Sequence, residues 1–400
     1  MPDSKPEEVS NIVPFNFDNT EIAFKHKSNA DLKRAYWLFK ALGYPFISKR
    51  GPKLLTFLIK IGLPIKYLIK ETIFKQFCGG EAIEECEDTI KKLALGRVGT
   101  ILDYSIEGEQ EEEVFDATCK EILKTIQKAT SDNRIPLTVF KISGVGRIQL
   151  LQKLDSKETL SIVELKEFDR VKERVNLICK SAYENHVRVM IDAEESWIQN
   201  TIDSLAINMM EVYNQHAVIV YNTYQLYRKD KLKSLLNDIE TAKSQKYYFG
   251  AKLVRGAYMD KERVRALEMN YLSPIHNTKQ QTDRDFDASI EICLENIDVV
   301  GFVSGTHNEK SCNYLLNLLK IKSISKENQH VYFAQLLGMS DNLSFNLADA
   351  GYNVAKYVPY GPVNKVLPYL FRRAEENTSV TGQISRELSL IRNERKRRRF

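Results

Sequence analysis

The pattern of apolar and polar positions changes near residue 97. From Ala30 to Phe77, apolar residues recur every three or four positions, the spacing that gathers them on one helix face. Cys86–Leu95 and Glu111–Lys128 repeat it, whereas roughly the first 20 residues, with their Pro, Asn and Asp, read as irregular. Short β-branched apolar runs then alternate with amphipathic helical stretches. They are Val98–Tyr104, Leu137–Ser143, Val187–Asp192, Ala217–Thr223, Ala251–Tyr258, Val299–Thr306, His330–Gln335 and Asn353–Val358. Strands apolar on both faces and separated by helices belong to a parallel sheet covered on both sides. Eight such strands close a (β/α)8 barrel, with a doubly wound open sheet as the competing architecture. The expected fold class is α/β. Residues 1–96 form a helical arm, and residues 97–400 a TIM-type barrel with a basic C-terminal tail.

Polar residues sit where such a barrel builds its site, at the carboxyl ends of strands. Those ends carry Asp192-Ala193-Glu194-Glu195, Asn222, Gly256-Ala257-Tyr258, Thr306-His307-Asn308 and Tyr357. Lys141 lies inside an apolar strand. It either meets an anion within the barrel or reaches solvent, because an unpaired buried ammonium is costly. Asp192 and the two glutamates after it suit a polar site, a helix cap or a Mg²⁺ ligand set. In Lys252–Tyr258, two cations precede a Gly-Ala pair that lets a backbone approach a flat ligand. A cation near the pyrimidine end of a flavin favours its reduced form. Thr306-His307-Asn308 opens a helix and suits phosphate, with a structural histidine as the alternative. In Pro368–Asn377, Pro368 suits a first helical position, and Tyr369 shares a helix side with Arg372 and Arg373. Glu376, four residues after Arg372, can orient it. Two guanidinium forks match a carboxylate or phosphate, against the alternative of a solvated basic patch.

Composition narrows the classes. The chain has 400 residues, 43% apolar, enough for a large core. Much of the net charge of +5 lies in Arg395–Arg399, read as a solvated tail that could also touch an anionic surface. The lysine-dotted apolar stretch Leu54–Lys70 is read as a core-packing helix pair with snorkelling lysines, over a helix lying on a membrane. Six cysteines without a C-x-x-C pair indicate a reduced compartment and no zinc site. The opening residues lack a secretory or mitochondrial leader pattern, and no apolar run reaches the ~18 residues of a span. A soluble or surface-attached protein is expected, with no metal and no nucleic-acid partner. There is no G-x-x-x-x-G-K-[ST], H-E-x-x-H or G-x-S-x-G motif, and Gly144-Val145-Gly146 lacks a third glycine.

Seven segments in order are similar to the motifs of the proline dehydrogenase family. They are FKISGVGR from Phe140, IDAEESW from Ile191, VYNTYQLY from Val220, KLVRGAYMDKE from Lys252, GTHNE from Gly305, AQLLGMSDN from Ala334 and KYVPYGPVNKVLPYLFRRAEENTSV from Lys356. The segment before Val98 and the tail resemble the monofunctional branch, which includes mitochondrial and Bacteroidetes-like enzymes. A bacterial chain is preferred, cytoplasmic and peripheral on the inner membrane, with a mitochondrial location as the alternative. The resemblance implies a distorted barrel holding FAD that oxidises L-proline to Δ1-pyrroline-5-carboxylate, by hydride transfer from C5 to flavin N5, and passes electrons to a quinone. It implies that Lys141, Arg372 and Arg373 hold the substrate carboxylate, that Glu376 braces an arginine, and that Tyr357 and Tyr369 wall the ring. Asp192 would hold the polar network and Lys252 would sit near N5. Asn222 would contact the flavin ring system. Val254, Arg255, Gly256, Ala257, Tyr258, Thr306, His307 and Asn308 would bind the rest of FAD, with Lys279 and Thr282 as further contacts. Many bacterial members have arginine in place of Lys252 and glutamine in place of Asn222. A hydroxyproline dehydrogenase is the neighbouring reading, with Tyr357 crowding a 4-hydroxyl. A non-catalytic barrel and a flavin-free phosphate-binding lyase are the other classes.

Overall fold

The computed structural model describes residues 15–44, 66–106, 109–379 and 383–400, and it leaves out the side chains of 374–379 and 383. Eight parallel strands close a barrel in chain order. They are β1 (Gly99–Tyr104), β2 (Leu137–Lys141), β3 (Arg188–Asp192), β4 (Val220–Gln225), β5 (Phe249–Val254), β6 (Val300–Gly305), β7 (Val331–Leu336) and β8 (Val354–Tyr360). β1 closes on β8 with Gly99 opposite Ala355 and Tyr104 opposite Tyr360, which excludes the open sheet.

The two largest departures from the expected strand boundaries have local causes. β4 begins at Val220 because the Asn214 carboxamide accepts the Ile219 and Val220 amides at 3.0 and 2.8 Å and holds the preceding residues in a turn. β5 ends at Val254 because Gly256 takes φ +132°, which leaves Arg255–Tyr258 in a loop. A Cβ on Gly256 would also lie 2.6 Å from the Tyr227 ring. Packing of Tyr227 and the positive φ therefore both require glycine here.

Side-chain alternation divides each strand. Ile101, Val139, Met190, Tyr221, Val303 and Ala355 fill the barrel. Leu102, Phe140, Ile191 and Phe302 pack outward under the helices. Tyr221 occupies the space that Gly250 leaves, where a Cβ would lie 2.8 Å from its ring.

A second core joins the chain ends. Phe24, Leu32, Phe39 and Phe77 pack with Val366, Leu370, Leu390 and Ile391. This layer comprises the helices Thr20–Phe24, Asn29–Leu42, Val363–Ser379 and Gln383–Arg398. The basic run is accordingly helical and packed in part, through Arg395 and Arg398, while Lys396, Arg397 and Arg399 stay exposed. Arg398 donates to the Phe24 and Lys27 carbonyls at 2.7 and 2.8 Å, capping the end of the first helix. Buried Glu394 holds Arg397 and Arg398 at 2.9 and 2.6 Å. Arg395 stands 4.8 Å from the Tyr36 ring. Of the Leu54–Lys70 stretch, residues 54–65 lie outside the described residues. Lys66 and Lys70 pair with Glu81 at 3.4 and 2.7 Å. Among the described residues, no helix is long and apolar enough to cross a membrane.

Candidate active site

Inward positions at the carboxyl end of the barrel form a buried ring of alternating charge. Lys252 on β5 donates to Asp192 Oδ1 on β3 and to Tyr357 Oη on β8, each at 2.6 Å. Tyr357 in turn donates to Asp192 Oδ1 at 3.3 Å. Burial, then the nearby Asp192 and Asp103 carboxylates, push its phenol well above the ordinary range, so it stays protonated. Lys141 on β2 lies 3.9 Å from Asp192 Oδ2 and 3.6 Å from Asp103 Oδ2 on β1. The strand lysine thus faces into the barrel. Asp103 was not among the sequence candidates, although the reasoning used for Lys141 applies to it, a charge inside an apolar strand. Ser105 Oγ donates to it at 2.7 Å.

The three acids after Met190 separate in role. Asp192 joins the ring. Glu194 accepts the Ser143 amide at 2.9 Å, and the Ser143 hydroxyl also donates to it, fastening the end of β2 to that of β3. Glu195 pairs with Lys261 and makes no side-chain cap on the helix Ser196–Tyr213. Among the described residues, no three His, Cys, Asp or Glu side chains are gathered as a metal site.

Arg372 and Arg373 diverge. Arg373 is buried with its guanidinium 5.2 Å from the Tyr369 ring, the expected i,i+4 neighbour. Arg372 turns instead to Tyr258 in the loop after β5, at 5.3 Å. Pro368 does not open this helix. It lies inside Val363–Ser379, and Pro362 stands just before the first turn. The Glu376 side chain lies outside the described residues.

Asn222 is a correction. It shares the wall of β4 with inward Tyr221, so its side chain leaves on the outer face. There it donates to Asp203 of the helix Ser196–Tyr213 at 2.9 Å. Gln225 has the inward parity. It donates to the Glu194 carbonyl at 2.6 Å and accepts the Ala257 amide at 3.3 Å. Strand parity counted from Tyr221 would have found it.

The other half of the mouth holds a cation cluster beside a helix start. Arg255 donates to Asp283 and Thr306, each at 2.7 Å, and to Ser311 at 2.9 Å. Lys279 reaches Asp283 at 2.5 Å, and Thr282 is buried beside it in sequence. Val254, Gly305 and Leu336 end β5, β6 and β7 here, followed by Gly256, Ala257 and Tyr258 in the loop after β5. Asn308 serves the protein: its carboxamide accepts the Lys310 amide at 2.9 Å as the N-cap of Glu309–Ile321. His307 is likewise engaged. Its Nδ1 lies 2.9 Å from Ser340 Oγ, and its Nε2 faces the Leu336 amide at 3.5 Å. Burial, with Lys356 and Arg373 nearby, lowers its pKa to about 3, so the ring is neutral. This is the structural role weighed for it, and in Asn308 it is the carboxamide oxygen that serves the helix.

Ser340 also donates its amide to buried Glu387 at 2.6 Å. Burial pushes the Glu387 carboxyl up to about 7. A folded-state pKa above the ordinary 4.5 contributes stability in full below pH 4.5 and loses it as pH rises through about 7. Between those limits the protein is expected to lose on the order of 3 kcal/mol relative to Glu387→Gln. Urea midpoints of both proteins at about pH 5 and about pH 8 measure it, and parallel midpoints would refute it.

Comparison with known proteins agrees with this geometry. A proline dehydrogenase of Dictyostelium discoideum, designated mitochondrial, is 33% identical over 96% of this chain and 75% of its own length. A hydroxyproline dehydrogenase of Xenopus laevis is 32% identical over 94% of this chain and 89% of its own. The crystal structure of proline utilization A from Bdellovibrio bacteriovorus, inactivated by N-propargylglycine, has the same fold with a TM-score of 0.73 at 18% identity. It is matched over 96% of this chain, which spans 42% of that one. The family model described as proline dehydrogenase matches residues 86–386, from before β1 through the arginine pair, and the chain belongs to the proline dehydrogenase family.

Proposed function

We propose that this chain is an FAD-dependent L-proline:quinone oxidoreductase that converts L-proline to Δ1-pyrroline-5-carboxylate. The observation that carries this reading is the gathering of cations at the mouth. Lys141 and Lys252 lie in the ring with Asp103 and Asp192, Arg373 stacks on Tyr369, and Arg372 faces Tyr258. Ammonium and guanidinium groups so placed match a substrate carboxylate. Arg372 and Arg373 are assigned to grip it with Lys141, and Tyr357 and Tyr369 to wall the substrate ring. Asp192 and Tyr357 hold the Lys252 ammonium in place. Both ring carboxylates face lysines, so neither is assigned as a base, and the amine proton passes to solvent.

The residues present fit FAD. The Lys252 ammonium and the Gln225 carboxamide suit the ring system. The Arg255, Thr306 and Lys279 cluster, beside the first turn of Glu309–Ile321, suits its phosphates. When bound, FAD supplies the two-electron acceptor. The quinone places the working enzyme at a membrane surface, that of a bacterial inner membrane or its mitochondrial counterpart.

Tyr357 favours proline over 4-hydroxyproline, because its hydroxyl is already held by Lys252 and its ring is buried. A higher kcat/KM for L-proline than for 4-hydroxyproline is expected. The wider test is spectroscopic. Purified protein should show flavin absorbance that L-proline bleaches without oxygen. Protein that stays colourless after incubation with FAD, or yellow protein that proline leaves unchanged, would overturn the reading in favour of a lyase or a silent barrel.

A further inference from the structure

A second polar cavity, of about 90 Å³, lies between the helix Asn29–Leu42, the segment Lys75–Gln76, the helix Glu87–Leu95 and the loop after β7. Four cations line it, Lys27, Arg34, Lys75 and Lys92, against two carboxylates, Asp31 and Asp341. The carboxylates are already engaged. Asp341 is held by Lys27 at 2.6 Å and from behind by fully buried Lys356 at 2.7 Å. Asp31 accepts from Arg34 at 2.7 Å. Lys75 turns to Glu71 at 3.1 Å, and Lys92 forms no ion pair among the described residues. In the lining itself, cations outnumber carboxylates. The first turn of the helix Asn29–Leu42 adds its partial positive charge.

Two buried nitrogens point to a ligand directly. Among the described residues, His26 Nδ1 and Arg34 Nε have no hydrogen-bond partner. The His26 side chain is 9% exposed, lines the cavity and stacks on Phe345 at 3.9 Å. Burial keeps its ring neutral, and Nε2 stands 3.7 Å from Asp341, which favours the hydrogen there and leaves Nδ1 as an acceptor. Buried polar atoms left without partners cost free energy that a bound ligand recovers. The volume equals about three waters and accommodates a tetrahedral oxyanion.

We propose that this cavity binds phosphate, as the free ion or as the terminal group of a phosphomonoester. Arg34 and Lys92 supply the donors, and His26 Nδ1 accepts from a protonated phosphate oxygen. The site sits on the loop that holds His307: Gly338 lines it and accepts from Gln76 at 2.8 Å, and Lys356 donates to the Met339 carbonyl at 2.6 Å. Occupancy therefore ties the N-terminal helices to that loop. This assignment does not depend on the proposed reaction.

The test is calorimetric titration of the flavin-loaded full chain with sodium phosphate, against sodium chloride at matched ionic strength, and with methyl phosphate as a second arm. One saturable phosphate site is expected, weakened roughly tenfold in Arg34→Gln and in Lys92→Gln. It should be unchanged in Arg373→Met, which separates it from the substrate mouth. Lys92 is exposed, so its replacement leaves the fold intact. Binding of both ligands supports a phosphomonoester, and binding of phosphate alone supports the free ion. No saturation above chloride, or unchanged affinity in both cavity variants, overturns the proposal.

Discussion

Arg373→Met is expected to lower kcat/KM for L-proline by about two to three orders of magnitude, because truncating one member of a buried charged pair costs about 2–5 kcal/mol. Arg373 is the more buried of the two arginines, and its guanidinium rests on Tyr369 of its own helix. A carboxylate bound there is paired where water does not compete. Loss of ground-state binding appears first in KM. Loss of orientation of the substrate ring toward its oxidant appears in kcat. Arg372 is partly exposed and leans on Tyr258, so Arg372→Met should cost less. Steady-state kinetics on folded variants, with added guanidinium as a rescue for Arg373→Met, decide the matter. A near-normal KM in both variants would remove the carboxylate clamp from the argument.

Asp341→Ala is expected to be the most destabilising single change, by about 3–5 kcal/mol, the cost of leaving buried charge without its partner. Lys356 is fully buried, and Asp341 is its only carboxylate partner among the described residues, at 2.7 Å. Burial pushes the Asp341 carboxyl up, but Lys27, Lys356 and His26 together outweigh it and hold the group well below the ordinary carboxylate range. A depressed folded-state value contributes stability that is present above the unfolded value of 3.8 and lost as pH falls through the folded one. The wild type should therefore lose stability to acid more steeply than Asp341→Ala. Denaturant titration across that range measures both effects. The double variant Asp341→Leu/Lys356→Met should recover much of the loss, since apolar side chains of similar volume replace buried ion pairs at little cost. A loss below about 1 kcal/mol in Asp341→Ala would show that the pair is solvated in solution.

The candidate site shows unevenly what can be read from one dimension. Lys141 stood out because an ammonium inside an apolar strand needs a reason, and Asp103 met the same criterion at the end of β1. Gln225 was reachable by parity, since it is four residues beyond Tyr221 and on the same side of the wall. The fate of Arg395–Arg399 was not reachable in this way. A basic run reads as solvated until something buried claims it. The claimants here are Glu394 on the same helix and the carbonyls of Phe24 and Lys27, which arrive from the other end of the chain.

The sequence by itself determined a parallel, helix-covered sheet of eight strands and left its closure to the β1–β8 pairing. Strands apolar on both faces, separated by amphipathic helices, can bury both faces only in a parallel sheet covered by helices. Eight such strands in order allow closure, and the polar residues at their ends locate the mouth. Only the tertiary structure decided which charges neutralise one another. Lys252 meets Asp192 across 60 residues and Tyr357 across 105. Pairing energies depend on distance and burial, which exist only once the strands close. A sequence can thus name the charged residues of this site, but the folded barrel decides which of them meet.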